Sequence, residues 1–180
     1  MGQRPSAIIP VPKRIELTES ERPWPWRFDV ACESDAARPV RQRYETELTG
    51  PGIEKSLKLR LTIGAQEPGG YALQLNESEI VCMSADTAGF RHALQTLKQL
   101  RTEPMMPLCR IDDAPALAIR GFHLNLQNCR SIDFDAARRF IETAAKFKLN
   151  TMLVEYGDRF PFREPDHVTD VAALTTEQVC

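Results

Sequence analysis

The spacing of the apolar residues changes once along the chain, near Asp112, and this restricts the fold more than any other feature. Before that point short stretches alternate apolar and polar residues. Trp26, Phe28 and Val30 alternate with polar neighbours, as do Leu57, Leu59, Leu61 and Ile63. Each set would bury one face of a sheet. Pro68-Gly69-Gly70 predicts a turn into Tyr71-Ala72-Leu73-Gln74-Leu75, and Asn76-Glu77-Ser78 a second turn into Ile80-Val81-Cys82-Met83. The pattern predicts a meander of antiparallel hairpins.

Two helices join these strands. The first is expected over residues 39–48, with Pro39 in the first turn, Val40, Tyr44 and Leu48 on one face, and Gly50 ending it. For the second, Asp86 is the N-cap, and Phe90, Ala93, Leu94, Leu97 and Leu100 form one apolar stripe. Residues 1–113 are therefore expected to form an α+β domain, an antiparallel sheet with both helices on one face.

After Asp112 the pattern is of another kind. Residues 119–126 read as a strand, and Asp133 caps a helix whose Ala137, Phe140, Ile141 and Ala144 share a face. Thr151-Met152-Leu153-Val154 is a continuous apolar run, as in a parallel strand buried on both sides. This predicts a strand–helix–strand unit with a right-handed crossover. A loop with Pro161 and Pro165 follows, and then Thr175 with Gln178 three residues later, a capping-box signature. A helix is expected to begin there, within the last residues of the chain. The 180 residues are too few for a complete eight-fold β/α barrel, which takes about 250. Residues 114–180 are therefore expected to be the start of a longer, truncated domain.

Charge and composition narrow the function classes. Lys and Arg number 23 against 25 Asp and Glu, a net charge of −2, and 42% of residues are hydrophobic. Such a balance speaks against nucleic-acid binding, which needs a basic excess to hold phosphates, and against a polybasic membrane binder. No apolar run is long enough for a signal peptide or a membrane span. Met1-Gly2 with Ser6 fits the short myristoylation pattern. Asn76-Glu77-Ser78 is a glycosylation sequon that reads as a polar turn. The five cysteines, Cys32, Cys82, Cys109, Cys129 and Cys180, are odd in number and widely spaced. They suggest neither a disulfide framework nor a zinc site, and a cytoplasmic location is expected.

No phosphate-binding loop, zinc-protease, nucleophile-elbow or dinucleotide motif occurs. His92, His123 and His167 are scattered; His92 beside its helix stripe and His123 within its strand read as structural. Two charged places stand out by position. Arg120 opens a buried-type strand, and a guanidinium there is either a structural ion pair or a fixed donor set for a polar substrate. Glu155 and Asp158 directly follow an apolar strand, at the end where β/α barrels carry their active sites. They read either as acceptors for sugar hydroxyls or as solvated loop carboxylates, one closing a salt bridge to Arg159 or Arg163.

The same residues carry a family resemblance that covers nearly the whole chain. Gly70-Tyr71-Ala72-Leu73-Gln74-Leu75, Ile80, and the run from Ala85-Asp86-Thr87-Ala88-Gly89-Phe90 to Leu100 resemble the N-terminal domain of family 20 glycoside hydrolases. So do Ile9-Pro10-Val11-Pro12-Lys13, Ile111-Asp112-Asp113-Ala114-Pro115 and Ile119-Arg120-Gly121-Phe122-His123-Leu124. Glu155-Tyr156-Gly157-Asp158-Arg159-Phe160-Pro161-Phe162 resembles the hexosaminidase D-like branch.

The resemblance implies a β-N-acetylhexosaminidase, built as a small α+β domain followed by a β/α barrel. It implies removal of terminal N-acetylglucosamine or N-acetylgalactosamine from glycans by a substrate-assisted retaining mechanism, with no cofactor and no metal. By resemblance Arg120 matches the first-strand arginine that donates to sugar hydroxyls. Asp158 matches the acidic residue after the second strand, and Glu155 is a further substrate contact. Asn125 stands where the family usually has Asp, and Asn128 where it has Arg. The adjacent Asp-Glu pair that the family carries after its fourth barrel strand has no counterpart here, so the chain itself is expected to be inactive. The alternative is a non-catalytic carbohydrate-binding or scaffolding module derived from such an enzyme.

Overall fold

A computed structural model describes residues 8–64, 66–126, 133–161 and 174–179. Gly2, Ser6, Asn128, Cys129, Arg163, Pro165, His167 and Cys180, singled out above, lie outside the described residues. The chain divides between Ala116 and Leu117 into two compact units.

The first unit runs β1 (Arg14–Arg22), β2 (Pro25–Cys32), α1 (Arg38–Glu47), β3 (Ile53–Ile63), β4 (Tyr71–Leu75), β5 (Glu79–Ser84), α2 (Thr87–Leu100) and β6 (Met106–Asp113). Its strands form one six-stranded sheet in the order β1-β6-β4-β5-β3-β2. The sheet is mixed, which corrects the antiparallel expectation: β2–β3 and β3–β5 are parallel, while β1–β6, β4–β5 and β4–β6 are antiparallel. Apolar alternation reports which face of a strand is buried and is blind to its direction. Direction is set by the connection, and a helix between two strands returns the chain to the end where it started. Helix α1 does this between β2 and β3. The tight turn at Asn76, whose N–H donates to Glu79 O at 3.0 Å, instead makes β4–β5 a hairpin.

The helices build the core. Val40, Tyr44 and Leu48 of the first, and Phe90, Ala93, Leu94, Leu97 and Leu100 of the second, are fully buried against Leu59, Leu61, Leu73, Ile80 and Ile111. Tyr44 keeps its hydroxyl satisfied there by donating to Phe90 O at 2.6 Å, as a buried polar group must. Trp26 departs from its expected place in the buried stripe and is 50% exposed. The β2–β3 register shifts between Pro25 and Arg27, where β3 carries one residue more than β2. Trp26 lies at that irregularity on the edge strand, outside the buried stripe that Phe28 and Val30 keep.

The first turn of α2 is pinned at a crowded junction. Asp86 accepts from Gly89 N through Oδ1 at 2.7 Å and from Gly69 N through Oδ2 at 2.8 Å. Ser84 Oγ donates to Gly70 O at 2.8 Å, and His92 Nδ1 donates to Gly69 O at 2.7 Å. A Cβ on Gly89 would sit 2.1 Å from both Gly70 O and Ser84 Oγ. Only glycine permits this approach.

The second unit holds β7 (Gly121–Asn125), α3 (Phe134–Lys146), β8 (Thr151–Glu155) and the short α4 (Thr176–Val179). The two strands pair in parallel, from Gly121 opposite Thr151 to Asn125 opposite Glu155. Asp133 caps α3 by accepting from Ala136 N at 2.9 Å. Phe140 packs edge-on against Phe122, ring centres 4.7 Å apart. The expected burial of β8 on both sides is corrected: Met152 is 42% and Leu153 63% exposed, because among the described residues of this unit the sheet has two strands and β8 has a neighbour on one edge alone. No helix among the described residues is long and apolar enough to cross a membrane.

Asp86→Ala is expected to lower stability by about 2 kcal/mol, read by urea denaturation, because one carboxylate serves two backbone donors. Gly89→Ala should cost about 3 kcal/mol by overpacking. Burial pushes the Cys82 and Cys109 thiols up to about 12. Their reactive thiolate is therefore scarce at any pH below that value. Iodoacetamide at pH 8 should label half-exposed Cys32 in the native protein, and Cys82 and Cys109 only after unfolding.

Candidate functional site at the carboxyl ends of two parallel strands

The register of β7 and β8 sets opposite each other two residues that lie 30 apart in sequence, so Asn125 and Glu155 end the two strands side by side. His123, two residues earlier on β7, shares their face because strand side chains alternate. The three side chains meet. Glu155 Oε2 accepts from Asn125 Nδ2 at 3.0 Å and lies 3.0 Å from His123 Nε2. The ring donates when Nε2 carries its proton, and the contact becomes an ion pair when the imidazole is charged. His123 is 48% and Glu155 45% exposed in their side chains. The cluster faces solvent, and His123 is not the packed core histidine that its strand position suggested. Leu126 N donates to Glu155 O at 2.9 Å, fixing the strand end beneath it.

Asp158 follows in a 3-10 turn over Gly157–Arg159. Gly157 starts that turn with φ +57°, a left-handed conformation that glycine adopts without a Cβ clash. Asp158 is partly exposed, with Oδ1 4.0 Å from Nε of buried Arg159. The salt bridge to Arg159 weighed from sequence is thus present only at its outer limit. Arg159 O accepts from Leu174 N at 2.9 Å, and the Tyr156 ring meets the Phe160 ring edge-on at 5.5 Å. These contacts hold the loop that carries Asp158.

Arg120 is elsewhere. It precedes Gly121, at the amino end of β7, and about 16 Å of strand separates it from the Asn125 end. Its guanidinium donates to Lys148 O at 3.0 Å through Nε and to Leu117 O at 2.6 Å through Nη1. Its own N–H donates to Asn150 Oδ1, and its carbonyl accepts from Asn150 N at 2.8 Å. The structure brings Glu155 together with His123 and Asn125, sets Asp158 three residues beyond, and does not bring Arg120 to them. Sequence reading missed His123 and Asn125 as partners of Glu155. The available signal was their spacing of two on one strand, facing the acidic end of the next.

Among the described residues, no group of three or more His, Cys, Asp or Glu side chains is arranged to hold a metal ion. What the cluster offers is hydrogen bonding: a carboxylate fixed by two neutral or cationic donors, with a second carboxylate nearby on a turn. Such groups accept from hydroxyls.

Comparison with known proteins gives this geometry a context. Residues 5–114 match the family described as Glycosyl hydrolase family 20, domain 2. A beta-hexosaminidase of Vibrio vulnificus is 24% identical over 159 residues, covering 84% of this chain and 18% of that protein. The chain thus spans about a fifth of the length of that curated relative. Among solved structures, the GH20 exo beta-N-acetylglucosaminidase of Vibrio harveyi with N-acetylglucosamine superposes with a TM-score of 0.68 and 23% identity, covering 87% of this chain and 26% of that one. The GH20 beta-N-acetylhexosaminidase of Streptomyces coelicolor A3(2) gives 0.69 and 20%, covering 87% and 36%. The Flavobacterium johnsoniae chitobiase gives 0.70 and 18%, covering 99% and 32%.

Arg120→Ala removes two charge-assisted bonds to carbonyls and should destabilise the second unit by about 2 kcal/mol. Hydrogen exchange read by mass spectrometry should speed up over Gly121–Asn125 and Thr151–Glu155, while the six-stranded sheet keeps its protection. Unchanged exchange in both strands would refute the anchoring role.

Proposed function

The chain belongs to glycosyl hydrolase family 20, and from that membership we propose that it is the N-terminal portion of an enzyme that removes terminal N-acetylhexosamine from glycans. In this reading β7, α3 and β8 begin the (β/α)8 catalytic barrel, with residues 1–113 as the accessory domain and 114–180 as the barrel's start. The observation that carries it is the polar cluster of Glu155, His123 and Asn125 at the carboxyl ends of two parallel strands. In β/α barrels that end bears the active site, because the loops that follow the strands converge there. Terminal N-acetylglucosamine or N-acetylgalactosamine is the ligand, and Glu155 and Asp158 accept hydrogen bonds from its hydroxyls. Arg120, bonded to carbonyls at the amino end of the strand, fixes the strand's start, and by the family resemblance it is also the proposed donor to hydroxyls of the terminal sugar. A reducing cytoplasm suits the unpaired thiols of Cys32, Cys82 and Cys109.

The proposed chemistry is substrate-assisted. The sugar's acetamido oxygen attacks the anomeric carbon as the glycosidic bond breaks, a Glu protonates the leaving oxygen, and an adjacent Asp orients the acetamido group. Water then opens the bicyclic intermediate with retention. The Asp-Glu pair needed for these steps has no counterpart among these residues, so this chain supplies part of a sugar pocket and no acid.

Two assays test the reading. The 180-residue chain should release no chromophore from an aryl N-acetylglucosaminide, and turnover above background would overturn the assignment of chemistry to residues outside it. The complete gene product should turn the substrate over, and its failure would overturn the enzyme reading. In that product Glu155→Gln is expected to lower kcat/KM about 30-fold, the loss of one charge-assisted hydrogen bond of about 2 kcal/mol.

A further inference from the structure

The two edges of the six-stranded sheet are β1 and β2, and they are built differently. Strand β1 carries charges along its length, Arg14, Glu16, Glu19, Glu21 and Arg22, and its pairing breaks between Leu17 and Glu21. Charges and irregularities of this kind keep an edge from pairing with another chain. From Arg27 to Cys32, β2 pairs with β3 in unbroken register. Beside it runs a groove of about 840 Å3, lined by residues 26–31 of the strand, by Arg41 and Glu45 of α1, by Thr49 just beyond that helix and by Lys58 of β3.

The backbone of β2 presents donors and acceptors to that groove. Glu33 N donates to Leu61 O at 2.8 Å, inward to β3. By alternation the amides of Arg27, Asp29 and Ala31 also face β3, and those of Phe28, Val30 and Cys32 face outward. Side chains alternate with them. Phe28 and Val30 are buried beneath α1, while Arg27 and Asp29 are exposed on the other face. Trp26 is half exposed at the mouth of the groove, and its carbonyl is held by Gly50 N at 3.1 Å and Arg101 Nη2 at 3.4 Å.

We propose that β2 is a homodimerisation edge, pairing antiparallel with β2 of a second copy of this chain across a twofold axis at Phe28. The strand is self-complementary in that register. Phe28 meets Phe28 of the partner subunit, and their outward amides exchange two hydrogen bonds. Arg27 falls opposite Asp29 of the partner subunit, twice by symmetry. Directly opposed opposite charges stabilise an antiparallel pair, most closely at positions that are not hydrogen-bonded. The twofold closes the assembly at two copies and removes the open edge from solvent.

A charge-swap experiment on the 180-residue chain tests this, with sedimentation velocity over a range of concentrations as readout. The unaltered chain should show a monomer–dimer equilibrium. Arg27→Asp sets Asp against Asp and Asp29→Arg sets Arg against Arg, so each alone should weaken dimerisation about tenfold or more. Mixing the two variants in equal amounts should restore it, as should the double variant, because Asp then meets Arg at both positions. Both side chains are exposed, and far-UV circular dichroism should be unchanged in each variant. A monomer at all concentrations, dimerisation indifferent to both single changes, or no recovery in the mixture would each overturn the proposal. An extended peptide from another protein would use the same edge, but without the swap's recovery.

Discussion

The close approach of the first turn of α2 to the start of β4 is the constraint on which the larger unit depends. A carbonyl and a hydroxyl occupy the space where a Cβ of residue 89 would stand. With that space free, Asp86 joins the helix cap to the Gly69 amide, and the whole apolar stripe of α2 comes down on the sheet. A helix standing farther off would leave Leu94, Leu97 and Leu100 partly hydrated, at roughly 25 cal/mol for each Å2 of apolar surface left uncovered. The mixed topology rests on the same docking: α1 and α2 lie side by side on one face because each crosses over between strands of that sheet.

In the smaller unit the two ends of a parallel pair do different work. At the amino end, Arg120 and Asn150 tie the two strands together through main-chain groups. At the carboxyl end, side chains meet in place of main chains, and Glu155 gathers Asn125 and His123. Main-chain anchoring and the side-chain cluster are thus separated along the strand pair.

Much of the fold was legible in local patterns because those patterns carry local physics. Both helices of the first unit, the Asp86 and Asp133 caps and the buried stripe of α2 follow from periodicity and capping chemistry acting within a few residues. Trp26 was misread because it stands on an edge strand beside a shift of register, and the residue that makes the shift lies in the partner strand β3, outside any local window. Strand direction was misread for a similar reason, since the same alternation serves parallel and antiparallel neighbours. The candidate site was partly legible: Glu155 stood out by its place after an apolar run, whereas its bonds to Asn125 and His123 of the neighbouring strand were not read.

The sequence by itself therefore determined the helices with the Asp86 and Asp133 caps, strands β2 to β5, β7 and β8, the buried helix face and the family to which the chain belongs, all of which depend on residue identity at short range. Strands β1 and β6 were not read from it. Only the tertiary structure decided which strands of the six-stranded sheet are parallel, that Arg120 bonds main-chain carbonyls, and that His123 and Asn125 meet at the Glu155 carboxylate. Those facts depend on register between distant segments, set by core packing and crossover direction, which no local window contains.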